Sequence, residues 1–277
     1  MSVAITWTAA SRRYVVCGPE HFAVGDAINP WMDPDRQPCR DRFIAEWNGL
    51  LRTLHALGAV VDVMPAPSGL ADMVFVRDGA VVFNGRAVAG RFLHAVRQPE
   101  VDHVMAWLER LGCPASDLVL PPSAYLEGGD VAVFGRELFA GWGFRTNRAA
   151  HAALAGGLGV PVHSLRLVDP RFYHLDTCLC VLDDRHVLYA PEALDAAGRR
   201  LVREVVPEPL ELRAGEALQF CANAIVLDRT VVMSSCPPRL ARVLDEHGFD
   251  VCVAPVGEFY KSGGAVSCLT LPIDRQL

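Results

Sequence analysis

The sequence predicts an α/β fold of about five pseudo-symmetric units closed into a propeller-like ring. Three observations predict it. Pairs of short apolar runs joined by tight turns recur along the 277 residues. A helical pattern follows each pair, and a short strand-like run follows each helix. The period of roughly forty to fifty residues falls in the range of propellers and repeat arrays.

The elements follow in order. "YVVCGP" (14–19) reads as a strand, and "RDRFIAEWNGLLRTLHALGAVVDVMPA" (40–66) as a helix and a second strand. "GAVVFNGRAVAGRF" (79–92) is the first complete hairpin. β-Branched or alternating apolar runs around a two-residue turn carry the hairpin signal. "PEVDHVMAWLERLG" (99–112) places Val101, Val104, Met105 and Leu108 at helical spacing and stops at Gly112, with "LVLP" (118–121) as the next strand. The second hairpin, "GGDVAVFGRELFAGW" (128–142), turns at Gly135-Arg136; a helix capped by Asn147 and the strand "VHSLRLV" (162–168) follow it. The third, "DTCLCVLDDRHVLYA" (176–190), turns at Asp183-Asp184 and leads to "EALDAAGRRLVREVV" (192–206) and "LEL" (210–212). The fourth, "NAIVLDRTVVMSS" (223–235), turns at Asp228-Arg229. Its helix, "PPRLARVLDEHG" (237–248), has proline at the start and glycine at the end, and "VCVAPV" (251–256) follows. The first unit lacks a hairpin partner, which "AVSCLTLPI" (265–273) can supply, so the last segment would close on the first and remove free sheet edges. An open α/β sheet is the alternative. It requires βαβ crossovers, whereas here a hairpin separates each helix from the next.

Composition narrows the function. A net charge of −6 with no basic run excludes a phosphate-backbone partner, so no nucleic acid is expected. No stretch approaches the roughly 20 apolar residues of a membrane span, and the N-terminus lacks the basic start and apolar centre of a signal peptide. The reading is a soluble, cytoplasmic protein. The nine cysteines are scattered, with one CxC (Cys178, Cys180) and no CxxC. A paired-cysteine zinc site and a disulfide framework are therefore not expected, and most thiols should be reduced and buried.

The polar residues repeat with the hairpins. Just before each first hairpin strand stand "FVRD" (75–78), "LEGGD" (126–130), "YHLD" (173–176) and "FCAN" (220–223). In a ring these equivalent positions converge on one central cleft, which Cys268, placed in the closing strand, can also reach. His174 and Asp176 are two apart, so on a strand both point to one face; Asp72 and Asp78 are an even six apart. Glycines 128, 129, 263 and 264 let the backbone bend or approach a ligand closely. Taken singly, Cys268 reads as core packing, His174 as a satisfied core histidine, Glu127 as a turn cap and Asp78 as a turn acid, as Asp184 is read here. Taken together they need a reason, because buried unpaired charge is costly. A cysteine beside a histidine suggests covalent catalysis, and no papain- or caspase-type signature is present. Asp72, Asp78, Asp176 and Glu127 make an anionic pocket that favours a cation. A guanidinium is planar, pairs bidentately with carboxylates and offers a carbon to a thiolate.

"MVFVRD", "EGGDVAVFG", "FYHLDTCLCVL" and "SGGAVSCLTL" occur in an order that resembles the guanidino-group-modifying enzymes of the pentein superfamily: arginine deiminases, arginine dihydrolases and dimethylarginine dimethylaminohydrolases. The resemblance covers nearly the whole chain, and together the motifs are specific. It implies one catalytic domain over 1–277, folded as a five-bladed α/β propeller of ββαβ units. It implies Cys268 as nucleophile, His174 as general acid and base, and Glu127 as the carboxylate that orients His174. Asp78 would grip the guanidinium, Asp72 would sit at the substrate pocket, and Arg91 and Arg145 would hold the substrate's α-carboxylate. "RTN" is particularly similar to the dimethylaminohydrolases, and "INPWM" (28–32) resembles an active-site loop of dihydrolase-like relatives. Three departures matter. Arg77 stands where the dimethylaminohydrolases usually carry Glu, and Asp176, a second guanidinium contact in deiminases, where they tend to carry Lys. Asp78 stands where dihydrolases tend to carry Asn, which argues against double hydrolysis.

The implied reaction is hydrolysis of arginine or a methylated arginine to citrulline plus an amine or ammonia, through a thiouronium on Cys268. Amidino transfer and a non-catalytic binding propeller are the alternatives. The expected partner is a small cationic guanidino substrate, with no nucleic acid, no membrane, no metal and no organic cofactor; a homodimer is left open.

Overall fold

The computed structural model describes residues 12–274, so the reading of the extreme N-terminus lies outside the described residues. The described residues form a mixed α/β fold with five small sheets. β1 (Arg13–Cys17) leads through α1 (Arg40–Ala56) to β2 (Val60–Met64), which pairs with β1 in parallel. β3 (Ala80–Phe83) and β4 (Arg86–Ala89) form an antiparallel hairpin, followed by α2 (Glu100–Arg110). β5 (Val131–Phe134) and β6 (Glu137–Trp142) form the next hairpin, and α3 (Arg148–Leu158) returns the chain so that β7 (Val162–Arg166) lies parallel to β6. β8 (Leu179–Val181), β9 (His186–Tyr189), α4 (Ala196–Val205) and β10 (Glu208–Glu211) repeat the pattern; the short helix α5 (Ala214–Ala217) follows. β11 (Ile225–Leu227), β12 (Thr230–Met233), α6 (Pro238–Glu246) and β13 (Asp250–Val253) repeat it again. Finally β14 (Leu271–Pro272) pairs antiparallel with β1, placing Val15 opposite Leu271. The C-terminal segment thus supplies the partner that the first unit lacks.

Local chemistry explains the elements. The β3–β4 turn uses Asn84 and Gly85 at φ of 49° and 71°. Two successive left-handed residues match the twist of a hairpin, and Asn-Gly tolerates them best. Asn147 caps α3 by accepting the Ala150 N–H at 3.3 Å, and Gly159 ends that helix at φ 68°. On α2, Val101, Val104 and Leu108 are buried, at the spacing that the sequence predicts. The second unit departs from expectation. "LVLP" forms no strand; Val119 is 84% exposed, and a single parallel bridge from Ala87 to Ala115 stands in its place. Pro114, Pro121 and Pro122 explain this, since proline cannot donate to a ladder and restrains the residue before it.

The apolar residues bury in four clusters. None of the nine cysteines is in a disulfide, and six of them are buried. Among the described residues no helix is long and apolar enough to cross a membrane.

Candidate active site

The polar residues before the hairpins do not lie on strands. Asp78 sits in the one-turn helix Val76–Gly79, Asp130 in Gly128–Asp130 and Asp176 in Leu175–Thr177, each immediately preceding or abutting its strand. Cys268 lies in a turn just before β14, not in the closing strand itself. The strand-face argument for His174 with Asp176, and for Asp72 with Asp78, therefore does not hold. The short helix at 128–130 packs against each of the other two, and that packing brings the side chains together.

Gly128 and Gly129 make the approach possible. A Cβ on Gly128 would stand 2.2 Å from the Arg77 carbonyl oxygen, and one on Gly129 would stand 2.7 Å from Asp78 Oδ1 and 3.0 Å from His174 Nδ1. Neither has a positive φ. Their use here is close contact between turns.

His174 is fully buried, with its Nε2 2.8 Å from Glu127 Oε2 and its Nδ1 3.5 Å from Asp78 Oδ1. Burial alone would push its pKa down. The charge of Asp78, the hydrogen bond with Glu127 and the charge of Asp130 outweigh burial and raise it to about 9. His174 is accordingly an imidazolium at neutral pH. Glu127 is pushed up by burial, but His174 and Arg145 outweigh that and bring it to about 2. Its Oε2 also accepts from Arg145 Nη1 at 3.1 Å, and its Oε1 accepts the Leu93 N–H at 3.1 Å.

Cys268 Sγ donates to Asp176, 3.5 Å from Oδ2, and receives a hydrogen bond from Asn223 Nδ2 at 3.1 Å. The Asn223 orientation is set by its other end, because Oδ1 accepts the N–H groups of Ala265 (3.0 Å), Ser267 (3.0 Å) and Cys268 (3.3 Å). Burial, then the charges of Asp176 and Asp78, hold the Cys268 pKa well above the ordinary thiol range. The resting group is a thiol, and a cation placed beside it would favour the thiolate.

The cluster is less anionic than the acids alone suggest. Three buried arginines pair with its carboxylates. Arg97 Nη1 contacts Asp78 Oδ2 at 2.8 Å while its Nε and Nη2 grip Glu100 at 2.9 and 2.8 Å. Arg77 Nε stands 3.2 Å from Asp176 Oδ2. Arg145 stands against Glu127, donates to the Ile28 carbonyl at 2.9 Å and lies over the Tyr173 ring at 4.6 Å. Among the site residues, Asp72 Oδ1, His174 Nδ1 and Arg77 Nε are buried without a hydrogen-bond partner, Arg77 Nε keeping only its ion pair with Asp176. Burial raises the Asp72 pKa against the pull of Arg97 and Arg145. Such unmet atoms are costly unless a ligand meets them.

Hydrogen bonds and ion pairs join His174, Glu127, Asp78 and Arg145 in one group and Cys268, Asp176 and Asn223 in another, and Arg77, paired with Asp176 and next to Asp78 in the chain, stands between the two. Arg91 is not part of either. Its guanidinium donates to the carbonyls of Pro121 (2.5 Å), Ala124 (3.4 Å) and Leu120 (3.5 Å). Sequence reasoning missed Arg97, Glu100 and Asp130. Asp130 accepts the Leu175 N–H at 2.9 Å and the Thr146 N–H at 3.1 Å, and burial raises its pKa to about 7. Only its place in the repeat marks Asn223, and that same signal points to Asp130. Nothing local marks Arg97, whose partner Asp78 lies 19 residues away. Asp78, Glu127 and His174 offer atoms within 4.8 Å of one another, a spacing that admits a metal ion. Their oxygens and Nε2 already serve Arg97, Arg145 and each other, an arrangement suited to holding a proton.

Fold and site together define an α/β protein with a buried cysteine–histidine–carboxylate centre braced by arginines. A family model described as "N,N dimethylarginine dimethylhydrolase, eukaryotic" matches residues 18–275. The chain belongs to the dimethylarginine dimethylaminohydrolase family. It is 37% identical to the N(G),N(G)-dimethylarginine dimethylaminohydrolase of Mycobacterium tuberculosis, over 96% of this chain and 87% of that protein. It is 38% identical to the bifunctional arginine dihydrolase/ornithine cyclodeaminase AgrE of a Nostoc species, over 94% of this chain but 38% of that protein. The chain spans well under half the length of such bifunctional relatives. Among solved structures, the N-terminal domain of the cyanobacterial arginine dihydrolase ArgZ, bound to product, superposes with a TM-score of 0.90 at 36% identity, covering 95% of this chain and 98% of that domain. A dimethylarginine dimethylaminohydrolase adduct with 4-chloro-2-hydroxymethylpyridine, at 20% identity and a TM-score of 0.75, shares the fold.

Proposed function

We propose that the protein hydrolyses the guanidinium of arginine or a methylated arginine, releasing citrulline with ammonia or an alkylamine. The observation that carries this is Cys268 Sγ, held between Asn223 and Asp176, with the buried imidazolium held by Glu127 only two residues before Asp176. The relatives named as dimethylaminohydrolase and arginine dihydrolase support the substrate class. On this reading the whole chain is one catalytic domain, and the five sheets are the blades of a five-bladed propeller with the turns before each hairpin at its centre. Nine cysteines outside any disulfide suit a reducing, cytoplasmic compartment.

The steps follow from the residues. The incoming guanidinium meets Asp72, whose Oδ1 lacks a partner, and lies beside Asp176 and Asp78. Its positive charge favours loss of the Cys268 proton, which Asp176 receives across their hydrogen bond. Sulfur attacks the guanidinium carbon. His174 gives its proton to the departing nitrogen, and an S-alkylthiouronium remains on Cys268. Neutral His174 then takes a proton from water, the hydroxide adds to the same carbon, and the adduct expels the thiolate, which recovers its proton from Asp176 while the hydroxyl proton of the nascent citrulline passes to the released amine or solvent. General acid–base help of this kind contributes typically ~10² to 10⁴ in rate. Arg145 braces Glu127 and the 28–32 segment, so its reach toward a substrate carboxylate is proposed as a second use of the same side chain. Arg91 would serve a carboxylate only after leaving the 120–124 carbonyls.

The test is citrulline formation from arginine, monomethylarginine and asymmetric dimethylarginine by the wild type and by Cys268→Ser. Citrulline from the wild type alone, and a mass-detected covalent adduct absent from the variant, support the reading. Equal signals from both proteins remove it. Ornithine with two ammonia per turnover would show a second hydrolysis, and products formed only with an added amine acceptor would show transfer.

A further inference from the structure

A second cluster lies at the far end of the β8–β9 hairpin. His186 opens β9, Glu208 opens β10 and His247 follows the last turn of α6, so the fourth and fifth sheets meet there. One ligand-capable atom from each residue lies within 4.8 Å of the other two. Each residue's remaining atom is already anchored. His186 Nδ1 is 2.8 Å from Asp183 Oδ1. His247 Nδ1 donates to the Val243 carbonyl at 2.8 Å. Glu208 Oε1 accepts from Arg185 Nε at 3.1 Å and Nη2 at 2.5 Å. The support extends outward. Asp183 Oδ2 is held by Arg229 Nη1 at 3.0 Å, and the Phe249 ring packs edge-on against His186 at 5.4 Å.

With those atoms engaged, the ligand atoms that remain are His186 Nε2, Glu208 Oε2 and His247 Nε2. The first two are 3.1 Å apart. Ligands on a tetrahedral zinc ion, each at about 2.0–2.1 Å, stand roughly 3.3 Å apart. Histidine ligands characteristically donate their other nitrogen to a carboxylate or a backbone carbonyl, which sets tautomer and ring direction. Here one imidazole has the carboxylate and the other has the carbonyl. We propose that His186, Glu208 and His247 bind a divalent transition metal of the zinc class, with water at the fourth position. Two imidazoles and one carboxylate are the donor set such ions take, while Mg²⁺ and Ca²⁺ prefer oxygen alone. Binding replaces the His186–Glu208 hydrogen bond and releases the shared proton. The metal would clip β9 and β10 to the end of α6. The site is separate from the Cys268 group, because Asp176 stands before the strand β8 and Asp183 beyond its other end.

The test is titration of the full chain, stripped of metal, with Zn²⁺ and then Co²⁺ near neutral pH, comparing wild type, His247→Ala and Glu208→Gln. One zinc equivalent should bind the wild type and raise its melting temperature. Both variants should bind it at least about tenfold more weakly and lose the thermal shift. Cobalt should show visible ligand-field bands without the charge-transfer bands of a thiolate, which separates this site from Cys268 and the other cysteines. Far-UV spectra and metal-free melting show whether each variant is folded; if His247→Ala is not, Glu208→Gln decides. Unchanged affinity in the folded variants, or a cobalt spectrum carrying thiolate bands alone, overturns the proposal and leaves a hydrogen-bonded cluster.

Discussion

Replacing Glu127 by Gln tests the charge that keeps His174 protonated. The amide retains an oxygen near Nε2 and the size of the side chain but removes the carboxylate 2.8 Å from the imidazole. His174 is raised to about 9 against burial that would lower it. Removing an adjacent opposite charge shifts a pKa by ~1–3 units. A fall of about two units would put His174 near 7, so at pH 8 its protonated share would drop from about nine-tenths to about one-tenth. Turnover at pH 8 should fall about tenfold and recover toward pH 6. The assay is kcat/KM for citrulline release across pH 6 to 10. In the wild type the alkaline limb should lie near 9, and in the variant it should move down by one or more units. A folded variant whose alkaline limb stays in place would refute the assignment of His174 as the acid set by Glu127. Arg145, left without its carboxylate partner, would push the imidazole pKa in the same direction, so the sign of the shift is secure.

The other predictions are narrower. Asp176→Asn leaves Arg77 buried without a carboxylate and should cost ~3–5 kcal/mol, read as a lower urea midpoint at unchanged slope; a loss below about 1 kcal/mol would show that the pair is not a structural brace. Gly129→Ala drives a methyl into Asp78 Oδ1 and His174 Nδ1, so turnover should fall more than thermal stability does, and normal turnover in the folded variant would argue against that close approach. Asn223→Asp places an anion where an amide donates to Sγ, and should slow alkylation of Cys268 by iodoacetamide; an equal or faster rate would exclude Asn223 as a thiolate donor. Because His174 is raised from 6.5 to about 9, its stabilising contribution is complete below 6.5 and is lost as pH rises through 9. A melting temperature that falls across that window in the wild type, but not in His174→Gln, is the expected result. Glu127, lowered from 4.5 to about 2, contributes above 4.5 and loses its contribution as pH falls through 2.

Much of the architecture was legible because it rests on local chemistry. Turn residues such as Asn84-Gly85 and Gly135 mark hairpins wherever they occur, and the spacing of Val101, Val104 and Leu108 marks the buried face of α2. The same locality misled at "LVLP": a β-branched, apolar run reads as a strand, yet flanking prolines and an unpartnered edge leave Val119 in solvent. The site was legible as a list of residues in equivalent places. Its geometry was not, because Asp78, Asp130 and Asp176 lie on one-turn helices whose direction no strand periodicity encodes.

The sequence by itself determined which chemical groups each unit delivers and that the last segment completes the first, since both follow from repetition and from the pairing needs of backbone edges. Only the tertiary structure decided the protonation of those groups. Arg77, Arg97 and Arg145 reach their carboxylates from separate positions in the chain, and burial magnifies each encounter. In a low-dielectric interior a charge is set by whatever lies within a few ångströms, and that neighbourhood exists only once distant turns have packed.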